Sequence, residues 1–385
     1  LRVVRIALAT RASEVRLTSD GDWSLYAADG RTALAVLSPG ESWLFQRDGA
    51  RISARADDSR LAPVGDTPIV ARPVAEGGTI TFNGKRWRGE LAISVAESGG
   101  LLVVNRVRMD DYLKGVVPLE IGTRALADLA AAEAQAVAAR SYAYMHLAGA
   151  GRPYDMAATV ADQVYGGASA ETSVGTQAVE GTAGLLLQYD GRVVSAPYHA
   201  TCGGSTAEPG DAWRSGREPY LQRVSDEIPG TGRYYCEWAP KYRWTQSYSA
   251  TELRESIARY VRALPGSGGG GSVGRVRAMS VTDVTPAGRV ATLTVETDRG
   301  RWQLRGNEIR SALRTPSGEL LYSTYFSLYA APGTNEVQSV LLRGGGNGHG
   351  VGMCQAGAIG RARAGQDFRT ILRTYYPGTI VGPID

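Results

Sequence analysis

The chain is short of the residues that carry most catalytic and metal chemistry. Its 385 residues include three histidines and three cysteines. Three cysteines are too few for a disulfide framework; they suit one pair plus a free thiol, or a metal site. Lysine is as scarce: Lys85, Lys114 and Lys241 stand alone, and arginine supplies the rest of 42 basic residues against 38 acidic ones. That skew favours planar, bidentate contacts to carboxylates. No basic run and no interleaving of aromatic with basic residues points to nucleic acid. No apolar run reaches the roughly 18 residues that a membrane span requires. The opening "LRVVRIALAT" has neither an initiator Met nor a charged-then-apolar signal segment, so a signal or anchor is absent from these residues.

Glycine, by contrast, is plentiful, with 49 residues. The stretch "GGGNGHGVGMCQAGAIG" places His349 and Cys354 among glycines. Glycine inside an element costs backbone entropy, and its usual compensation is a strained turn or a close approach of backbone to a ligand. A plain surface turn with an incidental histidine needs only one or two glycines. The density here therefore suggests close approach.

Hydrophobic content of 43% and charged content of 21% are ordinary for a globular protein, and the length suits two or three domains. The first hundred residues read as short β-strands bounded by Gly, Asp and Asn turns, as in "TALAVL" and "GLLVVNRVRM". "LADLAAAEAQAVAARSYAYMH" (126–146) is Ala-rich and free of Gly and Pro, which predicts a helix. A shorter helix over "MDDYLKGVV" is expected to stop at Pro118. "PGSGGGGSVG" (265–274) reads as a linker or loop tip, between a helix-like "ATELRESIARYVRAL" and further strands. A helix-like "QAGAIGRARAGQDFRTILRTYY" closes the chain. The fold class is α+β: β-rich, with one central Ala-rich helix and a C-terminal helix.

Glu120 leaves an apolar segment (Val116, Val117, Pro118, Leu119, Ile121) just ahead of that central helix. An apolar pocket raises a carboxyl pKa, as a general acid requires; a solvated or helix-start carboxylate is the alternative. The motifs taken together decide more. "DDYLKGVVPLEI…EAQAVAARSY", "ADQVYGG", "YHATCGGSTAEPGDAW…PYLQRV" and "GHGVGMCQAGA…ILRTYYPG" resemble, in order, the SpoIID/LytB family. That family includes lytic transglycosylases of peptidoglycan glycan strands and the amidase enhancer LytB.

The resemblance implies a SpoIID-like core in two parts, 76–239 and 341–385. A β-rich segment (1–75) would precede it, and an α+β region with the Gly-rich linker (240–340) would interrupt it. It places the catalytic carboxyl on Glu120. It assigns glycan contacts to Arg140, Tyr142 and Tyr144 of "AARSYAY" and to Gln163 and Tyr165 of "QVY". His349 would lie at the groove floor opposite Glu120. It implies an exported protein facing the periplasm or cell wall, with glycan strands and a wall amidase as expected partners. One raised-pKa Glu suffices for a lytic transglycosylase, because the nucleophile is the muramic acid's own 6-hydroxyl; a hydrolytic glycosidase usually needs two carboxylates. Where much of the family has Ser, this chain has Cys354.

His199 and Cys202 of "HATC", with Cys236 and Cys354, make a Cys₃His set suited to structural zinc, with His349 as a substitute ligand. The competing reading is a Cys202–Cys236 disulfide, natural in an exported protein, which leaves Cys354 free and His199 unexplained.

Overall fold

Alternation of apolar and polar residues builds the strands of the amino-terminal half. In Arg51–Ala56 the side chains of Ile52, Ala54 and Ala56 are buried while Arg51 and Arg55 are exposed, the period of two that a half-buried strand imposes. The computed structural model describes residues 2–56, 68–149, 151–159, 162–213, 215–264 and 273–383. It divides into two compact units, Leu1–Ser195 with Val381–Asp385, and Ala196–Ile380. The fold is α+β and strand-rich, as the sequence predicts.

In the first unit, Val3–Ala12 pairs antiparallel with Leu101–Arg108 and parallel with Met156–Ala157. The seven-stranded sheet continues through Glu90–Val95, Ile69–Pro73, Trp23–Tyr26 and Ala33–Leu37. A five-stranded sheet joins Arg51–Ala56, Trp43–Asp48, Glu14–Thr18, Thr79–Phe82 and Lys85–Arg88. Strands from either side of residue 75 thus share both sheets, so the structure draws no boundary there. Helices α1 (Met109–Lys114) and α2 (Val117–Glu120) follow the Leu101–Arg108 strand. Pro118 does not end a helix. It sits in the first turn of α2, where its missing N–H costs nothing and its fixed φ suits helix entry.

The central helix α3 (Leu129–Met145) is buried almost all round, with Ala131, Ala132, Ala134, Ala136, Ala138, Ala139 and Ala143 inside. Side chains this small let α4 (Ser173–Gly181) and the strand Leu186–Tyr189 pack closely against it.

The second unit holds α5 (Pro209–Ala212) and two antiparallel three-stranded sheets. One orders Trp244–Ser249, Val337–Gly344 and Phe326–Pro332; the other is a meander of Val276–Val284, Val290–Thr297 and Gly300–Arg305. α6 (Ala250–Arg262) starts with a Ser249/Glu252 capping box, and with α7 (Asn307–Ala312) shares a core around Leu253, Ile257, Leu293, Ile309 and Leu342. Most of the Gly-rich linker expected at 265–274 lies outside the described residues. The region expected as an insertion (240–340) belongs to the same compact unit as the segments flanking it.

A parallel pair, Tyr198 with Met353 and His199 with Cys354, brings "HATC" to the glycine motif. The closing helix is two: α8 (Gln355–Arg363) and α9 (Phe368–Tyr375). Gly365 separates them at φ +84°, a left-handed turn that favours glycine.

Candidate active site and metal centre

Glu120 is the last residue of α2, half-buried, on a segment whose Val116, Val117, Pro118 and Ile121 are buried. Its Oε1 accepts a hydrogen bond from the Val164 amide at 2.7 Å. Burial pushes the carboxyl above its ordinary range, and the Val164 N–H draws it partly back. Because Oε1 is the acceptor, Oε2 is the oxygen left to carry an acid proton. The carboxyl is therefore oriented, and it is biased toward the protonated form.

Several expected glycan contacts turn out to be the scaffold of this arrangement. Gln163 is buried, donating from Nε2 to Ala139 O at 3.2 Å and accepting from the Tyr112 hydroxyl at 3.0 Å. The buried Tyr165 donates its hydroxyl to Asn105 Oδ1 at 2.8 Å and packs against the rings of Trp87 and Tyr112. Between them, Val164 presents its amide to Glu120. Arg140 is also buried, and every guanidinium nitrogen is taken: Asp110 at 3.0 and 3.1 Å, Leu185 O and Val179 O at 3.2 Å. Gln163 and Tyr165 hold the segment that presents Val164, and Arg140 ties α1 to the end of α4 and the residues after it.

Tyr142 is different. Half-buried, it stacks on His146 with ring centroids 3.9 Å apart. Burial, and then the charges of Asp162 and Glu120, push its phenol up to about 12, so the hydroxyl keeps its proton. Tyr144, two residues on and so on another face of α3, carries the Arg2 guanidinium 4.4 Å above its ring. The Val164 amide and the Tyr112–Gln163 bond were not foreseen; "QVY" and "DDYLKG" marked the segments but not which atoms act.

In the second unit the glycine run has a structural cause. Gly346, Gly348, Gly350 and Gly352 alternate with Asn347, His349 and Val351, and all four have positive φ. A Cβ on Gly348 would lie 2.6 Å from His199 Cβ; one on Gly350 would lie 2.5 Å from the Arg289 guanidinium. The close approaches are to the chain's own "HATC" segment and to Arg289, rather than to open solvent as in a surface turn. His349 accepts the Val351 amide on Nδ1 at 3.1 Å and bonds the Tyr198 carbonyl. Its ring lies 4.8 Å from the half-exposed Trp213 and 5.6 Å from His199. Burial, then the neighbouring His199, hold His349 far below the ordinary histidine range, and it is neutral.

Cys202, Cys236 and Cys354 are buried and free, with Cys202 and Cys236 sulfurs 3.6 Å apart. The disulfide alternative is thus not the state of this structure. The three thiols converge with a carboxylate: ligand atoms of Cys202, Asp226, Cys236 and Cys354 all lie within 4.8 Å of one another. This buried cluster is suited to a metal ion. The fourth ligand expected at His199 is not in it. His199 turns Nδ1 to Val351 O at 3.1 Å, and burial, then Arg289, bring its pKa down to about 3. Burial, then Cys236, push Asp226 up to about 8. Asp226 lies in "QRVSDE", in no cysteine or histidine motif, and nothing in the spacing marks it.

Residues 97–189, which include α1 to α4, Glu120 and the Val164 segment, match the Stage II sporulation protein family, SpoIID. Residues 231–352 match a domain of unknown function, DUF8618. An uncharacterized protein of Brachyspira hyodysenteriae is 32% identical over 77% of this chain and 73% of its own length. The amidase enhancer of Bacillus subtilis is 31% identical over 69% of this chain but only 40% of its own length. Stage II sporulation protein D of Bacillus subtilis is 28% identical over 73% of this chain and 76% of its own. The chain belongs to the SpoIID/LytB family.

Proposed function

We propose that this protein is a peptidoglycan lytic transglycosylase that cuts denuded glycan strands at the MurNAc–GlcNAc bond, with Glu120 as its acid and base. The observation that carries the reading is the Glu120 carboxyl itself, raised in pKa by burial and oriented by the Val164 amide. Oε2 protonates the glycosidic oxygen, and the GlcNAc 4-hydroxyl leaves. The muramic acid's 6-hydroxyl then bonds to the anomeric carbon and returns its proton to Glu120, closing a 1,6-anhydro ring. No water is consumed, so no second carboxylate is needed to activate one. Tyr142, which keeps its proton and feels the charge of Glu120, is the candidate hydroxyl donor to the sugar. Tyr144 and His349 are weaker candidates for glycan contact, since Arg2 occupies one ring and two backbone groups the other.

Such a protein works outside the cytoplasmic membrane, facing the periplasm or wall. No helix among the described residues is long and apolar enough to cross a membrane. The cysteine cluster of the second unit is read as a structural zinc site.

A second reading, a non-catalytic glycan binder that stimulates a wall amidase, is favoured by one feature of the second unit. An open cleft of about 630 Å³ is lined by Trp213, Asp211, Asp283, Arg305, Asn307 and Glu308, an aromatic-plus-polar lining suited to sugars. Incubation with denuded glycan strands, followed by mass analysis of the new ends, separates the readings. Anhydro-muramic ends identify a transglycosylase, reducing ends a hydrolase, and binding without cleavage the enhancer.

A further inference from the structure

We infer that the zinc site is closed by Asp226, giving a Cys₃Asp set of Cys202, Asp226, Cys236 and Cys354 that acts as a structural staple. This rests on the zinc reading above and replaces the ligand assigned to His199. Zinc holds thiolates at about 2.3 Å and carboxylate oxygens at about 2.0–2.2 Å, which puts tetrahedral ligand atoms about 3.6–3.8 Å apart. The Cys202 and Cys236 sulfurs are 3.6 Å apart, and Cys202 Sγ is 3.9 Å from Asp226 Oδ2. Those two separations fit ligands around one ion and are too wide for a disulfide, and all four ligand atoms lie within 4.8 Å of one another.

The backbone is also arranged for thiolates. Amides of Cys202 and Gly357 donate to Cys354 Sγ at 3.2 and 3.3 Å, and that of Gly204 donates to Cys202 Sγ at 3.4 Å. A thiol sulfur is a weak acceptor, so three amides aimed at two sulfurs suit the charged form that metal binding requires. Cys354 moreover caps the N-terminus of α8.

Asp226 has the outer partners typical of a metal-bound carboxylate. Its Oδ1 accepts the Tyr375 hydroxyl at 2.6 Å and Arg361 Nη2 at 3.2 Å, which leaves Oδ2 facing the sulfurs. Such bonds fix a ligand's orientation. A Cβ on Gly357 would collide with the Tyr375 hydroxyl and both Asp226 oxygens, so this glycine gives the carboxylate its place. Three thiolates and a carboxylate exceed the ion's charge by two. The buried Arg361, and the buried Arg289, which donates to Cys202 O at 3.2 Å, offset that excess. With four protein ligands the sphere is closed, so the ion is structural. It ties residues 202, 226 and 236 to the start of α8.

The test measures zinc by elemental analysis, and affinity by chelator competition, on the intact chain as wild type, Asp226→Asn, Asp226→Ala and His199→Ala. Circular dichroism confirms that each is folded. Cobalt(II) in place of zinc reports tetrahedral thiolate coordination by its absorption bands. The expected result is one ion per chain in wild type and His199→Ala. Both Asp226 variants should bind at least tenfold more weakly, and the near-isosteric Asn keeps the comparison valid if Ala does not fold. Zinc lost from His199→Ala and kept at wild-type affinity in both Asp226 variants would overturn Asp226 while leaving the zinc reading standing. Wild type that takes up neither zinc nor cobalt would overturn both.

Discussion

At the scale of single residues, function depends on which polar groups are free to act. Glu120 has one oxygen engaged and one available, whereas Arg140 has no nitrogen left over. Glu120→Gln should therefore lower glycan cleavage by about 10²–10⁴ with little change in binding, because the amide cannot give up an acid proton. In the wild type, kcat/KM should fall as pH rises through the Glu120 pKa. Since burial raises that pKa, the alkaline limb should lie above the ordinary carboxylate range. The same sign holds for stability: the protonated form is the one favoured by folding, so its contribution fades as pH rises through the raised value. A pH–rate profile falling at ordinary carboxylate values would show the burial to be immaterial. Arg140→Met should instead cost stability, about 3 kcal/mol, by leaving Asp110 and two carbonyls without their donor. Chemical denaturation reads this. An unchanged midpoint with a raised KM would return Arg140 to the glycan groove.

Among the elements, glycine conformation makes a graded prediction. Gly350→Ala meets both a left-handed φ of +88° and the Arg289 guanidinium, while Gly365→Ala meets φ +84° with nothing within 4 Å. The second should cost roughly 1–2 kcal/mol from the backbone alone, and the first distinctly more; equal losses would mean that the packing on Arg289 yields freely. These elements were unequally legible. The early strands could be read because Arg51–Ala56 and its neighbours alternate, and α3 because alanine needs no tertiary help to favour helix. Pro118 misled because proline both ends helices and begins them. The glycine run could not be read at all. Its partners Pro197, His199 and Cys202 lie about 150 residues earlier in sequence, and only the Tyr198–Met353 pairing brings them together. Glu120, Cys202 and Cys354 stood out as motif residues, and Cys236 as the remaining cysteine. Val164 acts through its backbone amide, which no side-chain pattern announces, and Asp226 sits in no motif.

Over the whole molecule, the family match covers Glu120 and its supporting segment, while the buried cluster of three cysteines and Asp226 lies in the second unit. Catalysis and metal binding should therefore be separable in their variants. Glu120→Gln should retain its zinc, and a chelator should lower the melting temperature of wild type and Glu120→Gln alike; a chelator without effect on either would argue against a structural ion. The decisive measurement is mass spectrometry of denuded glycan strands after incubation with wild type and with Glu120→Gln. The wild type should release 1,6-anhydro-muramic ends and the variant almost none. Intact strands with wild type, or anhydro ends in equal yield from both proteins, would contradict lytic cleavage by Glu120.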